Sequence, residues 1–390
     1  MKVAIIGGGA SGLAAAITLK REMPKVDVTI FEKGDDLGKK LLVTGNGRCN
    51  LSNFVIQHEC YNGDHPLIHT VIDDFDAVEA LAFFNSLGLK IREEDGRLYP
   101  YSMSAKTVQD LLKIEVKKLK IKTELSTQIT EIEPANNKYK ISNKTYDKVI
   151  LALGGKVNSD GDGYKILKAL NIKYNPITPA LVQVKTEENY IKQLKGVRAR
   201  GVVFLREQDD SDEKPIKYQE GEIQFTEYGL SGIPVMQLSG DIAQMTKKGE
   251  KPHINICFTP DLGLKDVNEY IYKQIDSGKE GPELLYGIVN EKIAEVIYTI
   301  SNGDTNKMAL NIMSLPFTAI GTNSFKDAQV TRGGVPAKEL KKHSLESKKH
   351  PGLYITGELL DVDGFCGGYN LHYAWGSGIK AAREIADAKD

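Results

Sequence analysis

The sequence predicts an α/β protein in which a parallel sheet carries an inserted antiparallel β domain. The apolar run Val3–Ile6 leads straight into a glycine-rich segment, and later apolar runs at 149–153 and 353–355 are also followed closely by glycine. Continuous apolar runs of this length are typical of strands buried in a parallel sheet. A strand that passes through glycines into a helix is the βα unit of a Rossmann-type fold, which binds its ligand at the carboxyl ends of the strands.

The first glycine-rich segment fits the pattern G-x-G-x-x-G. Gly7 permits the tight turn, Gly9 lets a pyrophosphate approach the backbone, and Gly12 lets the following helix pack on the strand. Ala10 and Ser11 lie at the start of that helix, where free N–H groups and the positive end of the helix dipole favour an anion. Taken alone, the pattern is also compatible with an ordinary tight turn between a strand and a helix.

A carboxylate stands where a dinucleotide site needs one. The second apolar run, 28–31, ends in Glu32, which lies about 20 residues beyond Gly12, the spacing at which such folds bind the ribose hydroxyls. Lys33 follows it. Strand, glycine turn, helix and acid together predict a dinucleotide site.

Four further groups of residues are predicted to line that site. A basic, glycine-rich loop follows the second strand. Without the preceding glycine motif, the same residues would be interpreted as a solvated surface loop. Two other groups follow strands, and the last opens a helix from about 371 to 388, whose free amides at 370 and 371 would stabilise negative charge. The predicted residues are Lys39, Lys40, Thr44, Gly45, Gly47, Arg48, Cys49 and Asn50; Ala152, Gly154 and Gly155; Gly357 and Glu358; and Gly367, Gly368, Tyr369, Asn370 and Leu371.

Glycine cradles at 7–12, 44–50, 154–155 and 357–370 are what a long, bent FAD requires, whereas NAD alone leaves the last two unexplained. Three stretches carry a resemblance: IIGGGASGLAAA, GKKLLVTGNGRCNLSN and ESKKHPGLYITGELLDVDGFCGGYN. The sequence resembles the bacterial FAD flavoproteins that include aminoacetone oxidases and a bile-acid-pathway reductase.

The resemblance implies a Rossmann-type FAD-binding domain of the glutathione-reductase-like kind. It also implies that Gly154 and Gly155 lie against the flavin, that Gly357 and Glu358 border the ribityl-pyrophosphate region, and that the turn 367–370 meets the pyrimidine edge. FAD is the expected cofactor, with NAD(P)H as a possible transient electron donor.

The chain is long enough for more than one core, and its composition changes near residue 175. We predict a discontinuous FAD-binding domain at 1–175 and 325–390. An inserted β-rich domain at 176–324 contains a small helical subdomain at about 261–310 and a charged turn at 209–215. The site is expected in the crevice between the two domains.

Charge and composition narrow the class of protein. The 51 Lys and Arg residues balance 52 Asp and Glu residues, so no global field favours nucleic acid or an anionic membrane. No apolar run reaches the ~18 residues of a membrane span, and the first strand leaves no room for a signal peptide, so we expect a cytoplasmic protein. The 4 cysteines are widely separated, and we predict neither a structural disulfide nor a metal site.

The predicted function is that of an FAD-dependent oxidoreductase, which acts on a small organic substrate by hydride or electron transfer through the flavin. The alternatives are a non-catalytic FAD-binding protein, such as a sensor or assembly factor, and an NAD-dependent dehydrogenase without flavin. A disulfide reductase would need a cysteine pair and a second dinucleotide fold, which the sequence lacks. No catalytic acid or base, physiological substrate, redox partner (O₂ or NAD(P)) or oligomeric state follows from the spacing.

Overall fold

The computed structural model describes residues 1–157, 159–207 and 214–388. The helices in this part of the chain are α1 (Ala10–Glu22), α2 (His65–Ile72), α3 (Ala77–Ser86), α4 (Ala105–Lys118), α5 (Asp162–Ala169), α6 (Ile233–Lys247), α7 (Leu264–Asp276), α8 (Glu291–Ile300), α9 (Thr305–Met313) and α10 (Tyr369–Asp387). None of these helices combines the length and the apolar character that crossing a membrane would need.

The strands in the same ranges are β1 (Lys2–Ile6), β2 (Asp27–Phe31), β3 (Ser52–Asn53), β4 (Tyr61–Gly63), β5 (Ile91–Glu94), β6 (Arg97–Pro100), β7 (Lys122–Glu124), β8 (Glu133–Ala135), β9 (Lys138–Ile141), β10 (Lys144–Tyr146), β11 (Lys148–Leu151), β12 (Thr178–Ala180), β13 (Val184–Thr186), β14 (Arg198–Arg206), β15 (Lys217–Phe225), β16 (Gly229–Ser231), β17 (His253–Cys257), β18 (Leu315–Thr322), β19 (Val330–Arg332), β20 (Leu353–Ile355) and β21 (Val362–Gly364). The charged turn predicted at 209–215 lies outside the described residues, apart from its last two.

The chain divides into two compact units, Met1–Ile177 with Val330–Asp390, and Thr178–Gln329. The first unit is built on a parallel sheet with the strand order β20-β11-β1-β2-β7. Strands β1, β11 and β20 are apolar and almost wholly buried, as a sheet covered on both faces requires. Because all five strands are parallel, their carboxyl ends share one edge of the sheet.

Helices α1 and α10 pack against each other in the first unit. The stretch 11–19 of α1 is buried throughout, and small residues make the close approach of the two helices possible. A Cβ on Gly378 of α10 would lie 2.2 Å from the carbonyl oxygen of Ser11. About one turn earlier on α10, the Trp375 ring meets Phe84 edge to face at 5.2 Å, and its indole N–H donates to the carbonyl of Leu51. These contacts hold α10 against α1, α3 and the segment before β3.

The second unit contains a closed antiparallel barrel with the strand order β13-β16-β15-β14-β17-β18. This arrangement confirms the predicted antiparallel β region. Helices α7, α8 and α9 lie between β17 and β18 in sequence, and their side chains Ile271, Ile297 and Ile312 join barrel residues such as Phe225 and Phe317 in one buried core. The helical stretch is therefore packed on the barrel rather than folded around a core of its own.

Candidate cofactor site

The turn from β1 into α1 is rich in glycine because nearby backbone atoms leave no room for a side chain at two of its positions. Gly7 has φ +110°, and a Cβ there would lie 2.3 Å from the carbonyl oxygen of Ala152. A Cβ on Gly12 would lie 1.9 Å from the carbonyl oxygen of Gly7. Two of the three fingerprint glycines thus serve packing between β1, α1 and the end of β11.

Gly9, the third fingerprint glycine, faces open space. Its backbone is ordinary, with φ −83° and ψ −164°, and a Cβ there would meet no protein atom within 4 Å among the described residues. The amides of Ala10, Ser11 and Gly12 donate to no acceptor in this part of the chain, as the first N–H groups of a helix do in the absence of a ligand or cap. The turn therefore has space and donors for an anionic group.

The Ser11 hydroxyl is the second sign of a ligand at this place. Its Oγ is buried and has no hydrogen-bond partner among the described residues. Gly357, which follows β20, approaches it so closely that a Cβ on Gly357 would lie 3.3 Å from Ser11 Cβ. The amide of Gly357 is already used, since it donates to Ser377 Oγ of α10 at 2.9 Å. A buried hydroxyl without a partner is costly unless a bound group satisfies it.

Glu32 lies at the same edge of the sheet. Its Oε2 accepts from the amide of Gly8 at 2.8 Å, and its Oε1 accepts from the amide of Gly34 at 2.7 Å. A carboxylate has about four acceptor positions, so the group keeps capacity for ribose hydroxyls. The carboxylate also ties the end of β2 to the glycine turn, a structural duty that the sequence does not reveal.

Of the predicted cationic side chains, Lys33 and Lys40 pair across this edge, whereas Lys39 turns outward. Lys33 Nζ lies 3.2 Å from Asp162, and Lys40 Nζ lies 3.2 Å from Glu358. Lys39 Nζ pairs instead with Asp35 at 2.6 Å, and both side chains are exposed. In the predicted basic loop, Lys40 rather than Lys39 therefore faces another predicted site residue.

The end of β11 contributes an open position and a crowded one. Gly154 has φ +70° and faces open space, while a Cβ on Gly155 would lie 2.4 Å from Glu358 Oε1. Glu358 Oε1 accepts from the amide of Thr331 at 2.7 Å. Glu358 thus joins the ends of β19, β20 and β11.

The loop 39–50 forms short 3₁₀ turns over Lys39–Gly47, interrupted where Thr44 is extended and Gly45 and Asn46 are left-handed. Thr44 Oγ1 donates to the carbonyl of Leu41, and its own carbonyl accepts from the amide of Cys49. The Arg48 guanidinium lies over the Tyr99 ring, 5.1 Å from its centroid. Arg48 and Thr44 therefore hold the loop, and Gly47, with φ +80°, completes its reversal.

The two cysteines in glycine-rich loops are not activated thiols. Burial raises the pKa of Cys49 to about 12, against a smaller opposing effect of its hydrogen bond with Thr44. Burial also raises the pKa of Cys366 to about 11. Both thiols stay protonated at neutral pH, whereas redox chemistry needs the thiolate.

The N-terminus of α10 forms the other end of the site. Gly367 and Gly368 have φ +130° and +101°, and a Cβ on Gly368 would lie 2.5 Å from the carbonyl oxygen of Ser52. The amides of Tyr369, Asn370 and Leu371 donate to no acceptor among the described residues. Beside them, Asn50 Oδ1 is buried and has no hydrogen-bond partner in the described part of the chain.

Side chains around this N-terminus hold the turn rather than face a ligand. The Asn370 amide group bonds both the N–H and the carbonyl of Gly364, at 2.8 and 2.7 Å. The Tyr369 ring meets Tyr61 edge to face at 5.8 Å. The free backbone amides, not the side chain of Asn370, are thus the donors available at this end.

Sequence reasoning missed a buried histidine in the first turn of α10. His372 is fully buried, with Nε2 2.8 Å from the carbonyl of Phe75 and Nδ1 2.7 Å from Ser52 Oγ. A carbonyl only accepts, so Nε2 carries the proton and Nδ1 accepts from the Ser52 hydroxyl. Burial lowers the pKa of His372 to about 4, so the ring is neutral at neutral pH. His372 therefore anchors the segment 50–53 to α10.

A second missed feature is the buried ion pair between Arg332 and Asp363. The guanidinium bonds both carboxylate oxygens, at 2.7 and 3.0 Å, and both side chains are almost completely buried. It joins β19 to β21 immediately before the glycine turn of α10. Nothing in the spacing of these residues announces the pair, because it forms only in the folded unit.

The two ends of the site lie at a separation that fits a long cofactor. Ser11 contacts α10 near Gly378, while the helix begins after Gly368, and 10 residues of helix rise by about 15 Å. Among the described residues, each end offers free helix N-terminal amides and one buried oxygen without a partner. FAD fits this set: the amides after Gly9 and the Ser11 hydroxyl would hold its pyrophosphate, Glu32 its ribose, and Asn50 with the α10 amides its flavin ring.

A model of the family described as "HI0933-like protein Rossmann domain" matches residues 1–384. The chain belongs to the HI0933-like family. This confirms the resemblance and the Rossmann-type FAD-binding fold.

Curated relatives match this chain along nearly their whole length. A 3-dehydro-bile acid delta(4,6)-reductase of Clostridium scindens is 35% identical over 411 aligned positions, covering 99% of each chain. A ribosomal RNA dihydrouridine synthase of Haemophilus influenzae is 27% identical, covering 98% of each chain. The chain is an FAD-dependent oxidoreductase, and the prediction of an enzyme is confirmed.

Among solved structures, the 3-ketosteroid delta1-dehydrogenase of Sterolibacterium denitrificans matches with a TM-score of 0.51, 12% identity and 99% coverage of both chains. At that identity the likeness shows the fold alone.

Proposed function

We propose that this HI0933-like protein reduces a carbon–carbon double bond conjugated to a carbonyl in a small organic molecule, with NAD(P)H as the electron source. When bound, FAD supplies hydride transfer between the two. Hydride adds to the carbon β to the carbonyl and a proton adds to the α carbon, so that the double bond becomes a single bond while NAD(P)H is oxidised to NAD(P)⁺.

The observation that carries this proposal is the full-length 35% identity with a reductase named for the Δ4,6 double bonds of a 3-oxo bile acid. The more distant relatives are named for making dihydrouridine, which is uridine whose ring double bond beside a carbonyl has been saturated. Two different substrates thus share one reaction class. That class is what we transfer to this chain.

The geometry supports a reductive role. Negative charge develops on a flavin ring as it is reduced, and the amides of Asn370 and Leu371 at the start of α10 stabilise charge there without a side-chain proton. The protonated thiols of Cys49 and Cys366 leave electron transfer to the cofactor.

A second candidate substrate is RNA, favoured only by the names of the relatives at 27% and 26% identity. The formal net charge of −1 argues against it, because proteins that bind RNA normally carry an excess of basic residues. We therefore favour a small molecule and retain RNA as an outcome of the test.

The test is anaerobic turnover of the purified full chain with NADH or NADPH and a panel of acceptors. The panel holds a cyclic enone, a Δ4-3-oxosteroid, their saturated ketones as matched controls, and a uridine-containing RNA transcript. The proposal expects consumption of the conjugated compounds, with products that have gained two hydrogen atoms by mass spectrometry. Conversion of the RNA alone, or of none of the panel, contradicts it, as does oxidation of an amine as the main activity in air.

A further inference from the structure

A cluster of two imidazoles and one carboxylate lies outside the cofactor site. His58 Nε2 is 2.6 Å from Asp73 Oδ1, and His69 Nδ1 is 3.3 Å from Asp73 Oδ2. The two imidazole rings face each other with their centroids 3.9 Å apart. One possible ligand atom from each of the three residues lies within 4.8 Å of the other two.

Two elements bring these side chains together. His69 and Asp73 are four residues apart at the end of α2, so they occupy one face of the helix. His58 comes from the 3₁₀ turn His58–Cys60 that precedes β4. The separation His-x₁₀-His-x₃-Asp does not resemble a common metal motif, which is why the sequence analysis predicted no metal site.

We propose that His58, His69 and Asp73 bind a divalent transition-metal ion, with Zn²⁺ as the best match. Imidazole nitrogen suits Zn²⁺, Cu²⁺ and Ni²⁺, whereas Mg²⁺ and Ca²⁺ require a set of oxygen ligands that the cluster lacks. Three protein ligands leave one position of a tetrahedral ion to water. The exposed fractions of the side chains, 34% for His58 and 54% for the other two, make that position accessible.

The dimensions require little rearrangement. Around a tetrahedral Zn²⁺ with bonds of ~2.0–2.1 Å, ligand atoms stand about 3.3 Å apart. The two imidazoles now approach different oxygens of Asp73. Rotation of these partly exposed side chains would have to bring the two nitrogens and one carboxylate oxygen, now within 4.8 Å of one another, to that separation, a change of at most about 1.5 Å. The ion would take the place of the present hydrogen bond between His58 and Asp73.

The site would join α2 to the start of β4, and β4 pairs with β21 immediately before the glycine turn of α10. A metal that binds only the folded chain stabilises it by mass action. We therefore expect the ion to stabilise this corner of the first unit.

The test uses the purified flavin-loaded chain, stripped with a chelator and titrated with ZnCl₂ in a calorimeter, with MgCl₂ as a control cation. His69→Ala and Asp73→Asn remove one ligand each. His65→Ala is the matched control, because it removes an exposed histidine one turn earlier on the same helix. Cys60→Ser removes the thiol that lies two residues after His58.

The proposal expects one strong Zn²⁺ site per chain, a loss of affinity of about tenfold or more in His69→Ala and Asp73→Asn, and parent affinity in the two controls. Zinc should raise the midpoint of thermal unfolding in the parent and in His65→Ala but not in the ligand variants. Undiminished binding in His69→Ala, or loss of binding in Cys60→Ser alone, overturns the assignment. So does a parent protein that binds no Zn²⁺ at micromolar concentration.

Discussion

Glu32 accepts hydrogen bonds from two backbone amides of the protein, and we predict that it also accepts from the ribose hydroxyls of the cofactor. Replacing it with Ala should weaken FAD binding by about 1–3 kcal/mol, because a buried pair of ribose hydroxyls loses its acceptor. Equilibrium titration of apo-protein with FAD measures the change. Glu32→Gln keeps one acceptor oxygen, so its affinity for FAD should lie between those of the parent and of Glu32→Ala. Parent affinity in Glu32→Ala would show that the adenosine lies elsewhere.

His372 predicts a pH dependence of stability. The folded state holds the ring neutral with a pKa of about 4, below its ordinary value of 6.5, so the unfolded chain takes up this proton first. The contribution of His372 to the free energy of unfolding is therefore complete above pH 6.5. It falls by about 3 kcal/mol in all as the pH is lowered toward 4.

Urea unfolding of the parent and of His372→Gln between pH 7.5 and 4 isolates this contribution, with pH values chosen to span about one unit beyond the ordinary pKa. Glutamine can still donate to Phe75 and accept from Ser52, but it does not titrate. Raised pKa values of buried Asp361 and Glu384 act in the opposite direction in both proteins and cancel in the difference. A difference between the two proteins that does not change with pH would contradict the assignment.

At the scale of elements, α1 offers a clean comparison between two glycines of one turn. Gly9→Ala adds a methyl group where none of the described residues stands within 4 Å and where the backbone is unstrained, whereas Gly12→Ala would drive a Cβ against the carbonyl oxygen of Gly7. Gly9→Ala should leave the unfolding of the apo-protein unchanged and weaken FAD binding by about 1–3 kcal/mol, the usual cost of overpacking. Gly12→Ala should destabilise the apo-protein itself.

This pair is measured by thermal unfolding of the apo-proteins together with FAD titration. If Gly9→Ala binds FAD as tightly as the parent, the pyrophosphate does not lie at the start of α1, and the site must be placed elsewhere.

The N-terminus of α10 carries the proposed stabilisation of the reduced flavin. Gly368→Val should lower the flavin midpoint potential or abolish FAD binding, because the new Cβ collides with Ser52 and Asn50 and the backbone has a positive φ. The first atoms that the new Cβ would meet belong to the protein, so the substitution displaces the turn itself. Spectroelectrochemistry measures the potential, and an unchanged affinity and potential would remove this helix from the account.

The sequence predicted the elements whose signal is local. The β1–α1 turn, the apolar strands β11 and β20, and the glycines that open α10 are all visible as short motifs, and the structure contains them. Ser52, His372, Arg332 and Asp363 escaped notice because each depends on a partner far away in the chain, and single polar residues inside apolar helices or strands give no pattern. The small residues at 376–378 did hold a usable signal, since glycine inside a helix indicates close packing.

The same limit applies to the basic loop. Lys39 and Lys40 are indistinguishable in sequence, yet one pairs outward with Asp35 and the other with Glu358. Only the 3₁₀ turns of 39–47, with their left-handed interruption, decide which side chain faces which way.

At the scale of the whole molecule, the first unit has the features of a cofactor-binding domain. The second unit is a closed barrel whose core is shared with helices α7, α8 and α9. Closing the six described strands into a barrel leaves none of them as an exposed sheet edge.

The central claim is that this chain holds FAD and passes electrons from it to a conjugated double bond. The most direct measurement is anaerobic stopped-flow absorbance of the purified full chain. The account predicts a yellow protein that NAD(P)H or light bleaches, and whose colour returns rapidly on mixing with a conjugated enone but not with the matched saturated ketone. A chain that stays colourless after reconstitution with FAD, or a reduced flavin that the enone reoxidises no faster than the saturated ketone does, would contradict it.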